Sequence, residues 1–228
     1  MPPTPQASEK RIVEVKNLTS GDIDTYNYDA QGRVVKKASS VNMWEIEYQP
    51  SKVIATSRRV SNNVLVATTE YTLDASGRVT SSVSKNAAGS VTYNRLYEYD
   101  AAGYMIHHKE TDASGYVFED IVTNPTGNPV TVTNYEDGAL HDVTDYYYNS
   151  TAKNMGLGTP LIDYYGIKGF AGKIRQTEIS EFKRYGPSGA MNFHKINTFT
   201  TDPNGLILKY TSSYPLSNLS FEWNLIYQ

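Results

Sequence analysis

The chain has 228 residues and a net charge of −3, with 21 basic and 24 acidic side chains that are well mixed along its length. No basic stripe is present, which argues against nucleic acid or anionic lipid as a partner. The absence of cysteine excludes disulfides, thiolate metal sites and thiol nucleophiles.

The first ten residues are rich in proline and small polar side chains, with Pro2, Pro3 and Pro5 close together. They contain no apolar stretch of the kind found in a signal peptide, so residues 1–10 are predicted to form a flexible N-terminal tether. A single domain is expected to follow over residues 11–228. No run of residues approaches the roughly 18 apolar positions of a transmembrane helix.

A short turn motif recurs along the chain. Its four clearest copies are Asp29-Ala30-Gln31-Gly32, Asp74-Ala75-Ser76-Gly77, Asp100-Ala101-Ala102-Gly103 and Asp112-Ala113-Ser114-Gly115. The aspartate side chain can accept a backbone N–H two residues further on, and alanine suits the first central position of a type I turn. Glycine then takes the left-handed conformation that closes a hairpin with a bulge. Each copy therefore predicts a tight connection between antiparallel strands.

The spacing of these turns indicates the length of the strands between them. Glycines at 77, 89, 103, 115, 127 and 138 follow one another at intervals of roughly 12 residues, and the intervening segments are rich in Val, Ile, Thr and Tyr. The sequence therefore predicts an all-β fold, an antiparallel meander of about sixteen short strands with almost no helix. Such a meander would form a soluble barrel or a strongly curved sheet.

Alternation along the strands predicts which side chains share a face. Phe221, Trp223, Leu225 and Tyr227 alternate with more polar residues, which is typical of a half-buried final strand. In the preceding strand Leu206, Leu208 and Tyr210 are expected to share one face. Middle strands such as residues 80–85 and 104–110 are polar on both faces, which disfavours a membrane-spanning barrel with a continuous apolar exterior.

The regular spacing of turns is interrupted once, between Asn154 and Gly172, where glycine is frequent and Pro160 is present. Long irregular connections in compact domains are often functional. This Gly-rich insertion is therefore a candidate plug, lid or corner. The other interpretation is a crossover that links two halves of a sheet.

Two segments carry a family resemblance: Tyr26-Asn27-Tyr28-Asp29-Ala30-Gln31-Gly32-Arg33 and Tyr97-Glu98-Tyr99-Asp100-Ala101-Ala102-Gly103. They resemble the YD repeats of Rhs-type bacterial envelope and toxin-shell proteins. Over residues 10–228 the chain is similar to a family of bacterial envelope lipoproteins of unknown function with a porin-like fold. The resemblance implies a cell-envelope location and a lipid anchor upstream of this sequence, which has no lipobox cysteine. It implies no catalytic residue.

The polar residues form no recognised catalytic or metal-binding motif. His107 and His108 are neighbours in a predicted strand, so they should point to opposite faces, and both are expected to be solvated. Glu45 and Glu47 share a face about 6.6 Å apart, within the range of glycosidase carboxylate pairs. The same spacing occurs in any strand with two acids, so a solvated face is the simpler interpretation. No cofactor and no metal ligand are predicted.

Tyrosine is the one residue type that hints at a ligand. The predicted ligand-binding residues are Tyr146 and Tyr148, which precede the Gly-rich insertion, and Tyr164 and Tyr165 within it. Aromatic faces on a rigid sheet suit sugars or extended peptides. Alternatively, tyrosine simply favours strands. The leading hypothesis is a non-catalytic envelope module that binds or scaffolds glycans or peptides. The alternatives are a glycan hydrolase with a carboxylate pair in a wet cavity, and a structural shell element.

Overall fold

The computed structural model describes residues 11–153 and 177–228, and all of its regular elements are β-strands. The strands are β1 (Ile12–Asn17), β2 (Ile23–Tyr28), β3 (Val34–Ala38), β4 (Asn42–Gln49), β5 (Lys52–Arg59), β6 (Leu65–Leu73), β7 (Val79–Asn86), β8 (Val91–Tyr99), β9 (Met105–Asp112), β10 (Val117–Thr123), β11 (Val130–Glu136), β12 (Ala139–Lys153), β13 (Thr177–Tyr185), β14 (Met191–Thr201), β15 (Ile207–Tyr214) and β16 (Leu219–Tyr227). The predicted tether and the Gly-rich insertion lie outside the described residues. Within the described ranges, no helix is long and apolar enough to cross a membrane.

The sixteen strands form a closed antiparallel barrel in which each strand pairs with its neighbours in the chain. Closure is made between the first and last strands, where Val15 of β1 pairs with Leu225 of β16. The all-β meander and the number of strands predicted from the turns are therefore confirmed. Closure leaves no unpaired edge strand among these sixteen, so main-chain N–H and C=O groups are used within the barrel.

The turn motif adopts the geometry that its residues predict. In the copy between β6 and β7, the Asp74 side chain accepts the Ser76 N–H at 2.8 Å and the Arg78 N–H at 2.9 Å. The Gly77 N–H donates to the Asp74 carbonyl at 3.0 Å, with Gly77 at φ +78°. The Arg78 Nε also donates to the Asp74 carboxylate at 2.7 Å. The turn thus satisfies its own polar groups and fixes the register of the hairpin.

A β-bulge follows several of these turns and redirects the first residue of the next strand. The pairing shifts by one residue just after β3, β7, β9 and β15 begin. The first residue of each of these strands is consequently turned inward and is at most 8% exposed: Val34, Val79, Met105 and Ile207. The shared face predicted for Leu206, Leu208 and Tyr210 is wrong, because the bulge leaves Leu208 44% exposed on the outside.

The two faces of the barrel wall differ sharply in chemistry. Inward-facing partners such as Val53 and Tyr71 are almost fully buried, whereas the outer face carries ion pairs. These outer pairs include Lys109–Glu119 at 2.9 Å, Lys183–Glu181 at 3.1 Å and Lys209–Glu222 at 2.6 Å. A membrane-spanning barrel presents a continuous apolar band to lipid. On the outer face of the described strands, ion pairs are interspersed with exposed apolar side chains such as Leu96 and Ile226.

The two ends of the barrel also differ. We call the end that bears turns 29–33, 74–78, 100–104 and 202–206 the packed end, because apolar residues fill its interior. There Ala152 of β12 packs with Ile12 and Ile207, although β12 is not hydrogen-bonded to β1 or β15, so the contact crosses the interior. The opposite end, with turns 18–22, 60–64, 112–116 and 186–190 among others, is the rim end.

Tyrosine hydroxyls tie hairpins together at the packed end. In four hairpins a tyrosine near the end of the second strand donates to the carbonyl of the residue that begins the first strand. The pairs are Tyr28–Ile12 at 2.6 Å, Tyr48–Val34 at 2.8 Å, Tyr99–Val79 at 2.8 Å and Tyr227–Ile207 at 2.5 Å. Part of the tyrosine excess is therefore structural, including the tyrosines that precede Asp29 and Asp100 in the turn motif.

Candidate functional site

Eight aromatic side chains form a continuous layer on the inner face of β12 to β16. Successive ring centroids lie between 4.5 and 6.4 Å apart. Trp223 and Tyr210 stack nearly parallel at 4.5 Å, and Phe182 stacks on Phe193 at 5.1 Å. We call this set the aromatic wall; its members, in order of contact, are Tyr146, Phe182, Phe193, Tyr214, Phe221, Trp223, Tyr210 and Phe199.

Two cations alternate with phenylalanines on β13 and β14 within this wall. Cross-strand pairing places Lys195 opposite Phe182, and Arg184 opposite Phe193. The Lys195 Nζ lies 5.7 Å from the Phe182 ring centre and 5.8 Å from that of Tyr214, and burial lowers the pKa of its ammonium. The Arg184 guanidinium carbon lies 5.5 Å from the Phe193 ring centre. The wall therefore combines flat apolar faces with positive charge.

A row of polar side chains crosses the inner face of β9 to β12, beside the aromatic wall. His108, Asp120, Asn134 and Asp142 are successive cross-strand partners. The His108 Nδ1 and the Asp120 carboxylate are hydrogen-bonded at 3.0 Å, and Asn134 donates to Asp142. Arg184 of the wall approaches the Asp142 carboxylate at 3.6 Å, so the row and the wall meet. No group of three or more His, Asp or Glu side chains within residues 11–153 and 177–228 has the arrangement of a metal site.

The polar row is almost dehydrated. His108 is 7% exposed, Asp120 5% and Asp142 3%. Burial raises the pKa of Asp120, and although the hydrogen bond and charge of His108 act in the opposite direction, the net shift is upward. The His108 Nε2 atom is buried and has no hydrogen-bond partner within the described ranges, and the Tyr97 ring stacks on the imidazole at 5.1 Å. The row thus offers polar groups that face the interior.

The two adjacent histidines have different environments. They point to opposite faces of β9, as expected, and His107 lies on the outer face near Glu98 at 3.5 Å and Glu119 at 3.7 Å. The expectation that both would be solvated is wrong for His108. The hairpin centred on residues 112–116 places His108 directly opposite Asp120, and both side chains face inward. That pairing could have been read from the turn position, because strand residues equidistant from a hairpin turn oppose each other.

Two of the four predicted ligand-binding tyrosines lie on the inner face of β12. Tyr146 belongs to the aromatic wall, and its ring contacts that of Phe182 at 5.5 Å. Burial raises the pKa of its hydroxyl, and Arg184, Asp120 and Asp142 are close enough to affect it. Tyr148 packs with an apolar cluster of β10 and β11. The other two, Tyr164 and Tyr165, lie outside the described residues.

The structure places the Glu45 and Glu47 pair outside the barrel. Their partners across β4 and β5 are Thr56 and Ile54, and the four residues border an open groove of about 490 Å³ on the outer face. The Glu45 side chain is 54% exposed, and the Glu47 carboxylate accepts a hydrogen bond from Gln49 at 2.9 Å. The hydrolase hypothesis requires a pair inside a wet cavity, and this pair does not meet that requirement.

Sequence reasoning named half of the wall residues without bringing them into one surface, and it did not predict the polar row. Alternation in the last strand did identify Phe221 and Trp223 as sharing a face, and these two are wall residues. It could not bring β12 and β16 into one surface, because that depends on the register of four successive strand pairs. Arg184 and Lys195 were missed because a charged residue on a strand is usually exposed, and only pairing with inward-facing phenylalanines shows otherwise.

Comparison with known proteins identifies the fold. No protein-family model matches the chain, and no curated protein matches it. Among solved structures it is similar to a porin-like protein from Bacteroides uniformis ATCC 8492, with a TM-score of 0.69 and 14% identity over 95% of this chain and 96% of that one. A porin-like protein from Bacteroides vulgatus ATCC 8482 gives a TM-score of 0.65 and 12% identity over 96% and 99%. At these identities the similarity shows the fold alone, and that fold is porin-like.

Proposed function

We propose that the protein is a non-catalytic binding module of the bacterial cell envelope that holds a glycan against the aromatic wall. The observation that carries the proposal is the wall itself, eight rings in unbroken contact on the inner face of β12 to β16. Flat aromatic faces on a rigid sheet suit the apolar faces of sugar rings. The half-exposed side chain of Arg184, where the wall meets the polar row, supplies a group that can hydrogen-bond to hydroxyls.

Closure of the barrel favours a glycan over an extended peptide. Peptides commonly bind to β proteins by adding a strand to an exposed sheet edge. All sixteen strands of the described barrel are paired on both sides, so that mode has no edge to use. A glycan needs no main-chain ladder, because its hydroxyls and ring faces can be bound by side chains alone.

Two observations support an envelope location in which the barrel is not inserted in the membrane. The porin-like neighbours come from Bacteroides species, and over residues 10–228 the chain resembles a family of bacterial envelope lipoproteins with a porin-like fold. The outer face carries ion pairs such as Lys109–Glu119, and burying such charges in hydrocarbon would be costly. We therefore propose a hydrated barrel that is held at the envelope through a lipid anchor upstream of this sequence.

Binding can be tested through the two tryptophans of the chain, of which Trp223 belongs to the wall. The purified protein is screened on an array of bacterial-surface and plant polysaccharides, and each hit is titrated with the Trp44→Phe variant, in which Trp223 is the remaining fluorophore. The emission of Trp223 is expected to shift on binding. The matched Trp223→Phe variant, which reports from Trp44, should show a smaller change. No hit, or a change confined to Trp44, would overturn the proposal.

A second variant tests the wall without the fluorophore. Phe193→Ala removes a ring that stacks on Phe182, and we expect affinity to fall at least about fivefold, since an aromatic contact contributes about 1 kcal/mol. Tyr147→Ala is the matched control, because Tyr147 faces outward opposite Glu181 on the same part of the barrel. Equal losses in the two variants would place the ligand elsewhere. Circular dichroism checks that both variants are folded.

A further inference from the structure

The ammonium of Lys195 has an unusual environment for a half-buried charge. Among the described residues it makes no hydrogen bond or ion pair, and its close neighbours are the rings of Phe182 and Tyr214. A cation that loses water without gaining a carboxylate reduces stability. Cation–π contacts offset part of that cost. The arrangement therefore has a positive charge available for a partner that the described residues do not supply.

Arg184 brings a second cation to the same surface. It pairs with Phe193 across the strands as Lys195 pairs with Phe182, so the two cations lie on a diagonal of the β13–β14 pair. Diagonal positions on one face are about 7–8 Å apart, a distance that one carboxylate or sulfate group can bridge with two long side chains. The Arg184 Nε has no hydrogen-bond partner among the described residues, and its ion pair with Asp142 is long at 3.6 Å. Arg184 therefore keeps donor capacity.

We propose that Lys195 and Arg184 form an anion subsite, and that the glycan bound against the aromatic wall is acidic, with a carboxylate or sulfate group seated between these two cations. This inference rests on the proposed function, since it specifies the ligand class of the same site. The flanking rings of Phe182, Phe193 and Tyr214 hold the sugar, and the two cations select its charge. The side chain of Arg184 remains 42% exposed, so the subsite is reachable from solvent.

Matched acidic and neutral probes test the charge requirement. The full chain is titrated with oligogalacturonate and hyaluronan fragments, which carry carboxylates only, and with chondroitin sulfate fragments, which carry both groups. Carboxyl-reduced forms of each serve as neutral or carboxylate-free counterparts. At least one acidic probe is expected to bind. Its affinity should fall about tenfold or more when the carboxylate or sulfate group that is seated at Lys195 is removed. Binding of neutral glycans with no preference for acidic ones would overturn the inference and leave the proposed function standing. Binding of no glycan would overturn both.

The Lys195→Met variant tests the residue itself. Methionine keeps the unbranched apolar stem and removes the charge, so the variant should fold and should lose about tenfold or more in affinity for the acidic probe. The Lys195→Arg variant should retain binding. Lys209→Met is the control, because Lys209 lies on the outer face and pairs with Glu222. An equal loss of affinity for acidic and neutral probes in Lys195→Met would show that the residue only packs, and would overturn the inference.

Discussion

The packed end and the rim end of the barrel place hydrophobic side chains in opposite ways. At the packed end the residues that follow the turns are buried, as with Val79 and Ile207, each 0% exposed. At the rim end the described turns and strand ends expose large apolar side chains instead: Leu18, Val41, Val60, Val64, Val91, Tyr116, Leu140, Met191, Leu216 and Leu219. The buried apolar side chains that begin strands are therefore found at the packed end, whereas the rim end presents its large apolar side chains to solvent.

The turn motif varies at its fifth residue. In the packed-end turns that begin at Asp29 and Asp74, the fifth residue is an arginine. Its guanidinium lies 2.7 Å from the aspartate carboxylate in both turns. The rim turn at Asp112 has Tyr116 at that position, and its carboxylate accepts hydrogen bonds from the backbone and the hydroxyl of Ser114. The packed-end turn at Asp100 also has a tyrosine at the fifth position, Tyr104, whose N–H donates to Asp100. One turn motif therefore serves both ends, and the two ends differ in whether the first residue of the next strand is buried, as Val79 is, or exposed, as Val91 is.

The largest expected effect on stability comes from shortening a buried side chain at the packed end. Ile207→Ala removes a fully buried side chain that packs with Ile12, Ala152 and Leu225, and we expect it to lower the free energy of unfolding by about 2–5 kcal/mol. Leu216→Ala at the rim end, where the side chain is 56% exposed, should change it by less than about 0.5 kcal/mol. Urea unfolding followed by tryptophan fluorescence measures both. Similar losses in the two variants would contradict the division between the ends.

A smaller effect is expected from the turn of the packed end. Asp74→Ala removes the acceptor of the Ser76 N–H, the Arg78 N–H and the Arg78 side chain, so the free energy of unfolding should fall by about 1–2 kcal/mol. Asp112→Ala at the rim end should cost less, because no arginine contacts that carboxylate. The same urea measurement applies. A larger loss for Asp112→Ala would refute the ranking.

The tyrosine hydroxyls at the packed end should contribute about 1 kcal/mol each. Tyr99→Phe removes the hydrogen bond to the Val79 carbonyl while keeping the ring, so a loss of about 0.5–1.5 kcal/mol is expected. Tyr214→Phe in the aromatic wall is the matched control, because its ring contacts Phe193 and Phe221 edge-on and its hydroxyl has no hydrogen-bond partner among the described residues. Thermal unfolding should separate the two variants, and an equal loss would argue against a special role for Tyr99.

The smallest expected effect is a difference in how Asp120 and Asp74 make stability depend on pH. Burial raises the pKa of Asp120, so folding favours its protonated form, and its contribution to stability should fall as pH rises from the unfolded value of about 3.9 through the folded one. The pKa of Asp74 is lowered: slight burial raises it, but hydrogen bonds from Arg78 and Ser76 outweigh that effect. Its contribution should be present above pH 4 and be lost as pH falls below.

Urea unfolding of the wild type, Asp120→Asn and Asp74→Ala over a pH series tests this expectation. The difference between wild type and Asp120→Asn should decrease with rising pH above about 4, and the difference between wild type and Asp74→Ala should increase as pH rises to that value and then stay constant. If both stability differences changed with pH in the same direction, the environment of either Asp120 or Asp74 would differ from the one described.

Local chemistry made much of the fold predictable. The Asp-Ala-x-Gly turn uses only its own five residues, as the contacts around Asp74 and Gly77 show, so its geometry could be predicted without the rest of the molecule. Strand count followed from turn spacing. The bulge at Leu208 could not be predicted, since it depends on how β15 pairs with β14, and it moved that leucine to the outer face.

The sequence by itself determined the antiparallel meander, the number of strands and the turn structure, because each of these depends on interactions within a few residues of one another. The tertiary structure alone decided closure between β1 and β16, which face lies inside, and the meeting of the polar row with the aromatic wall. Those features require contacts between residues distant in the chain, such as Asp142 with Arg184 and Ala152 with Ile12. Alternation assigns side chains to one of two faces, and only barrel closure determines which of the two loses water.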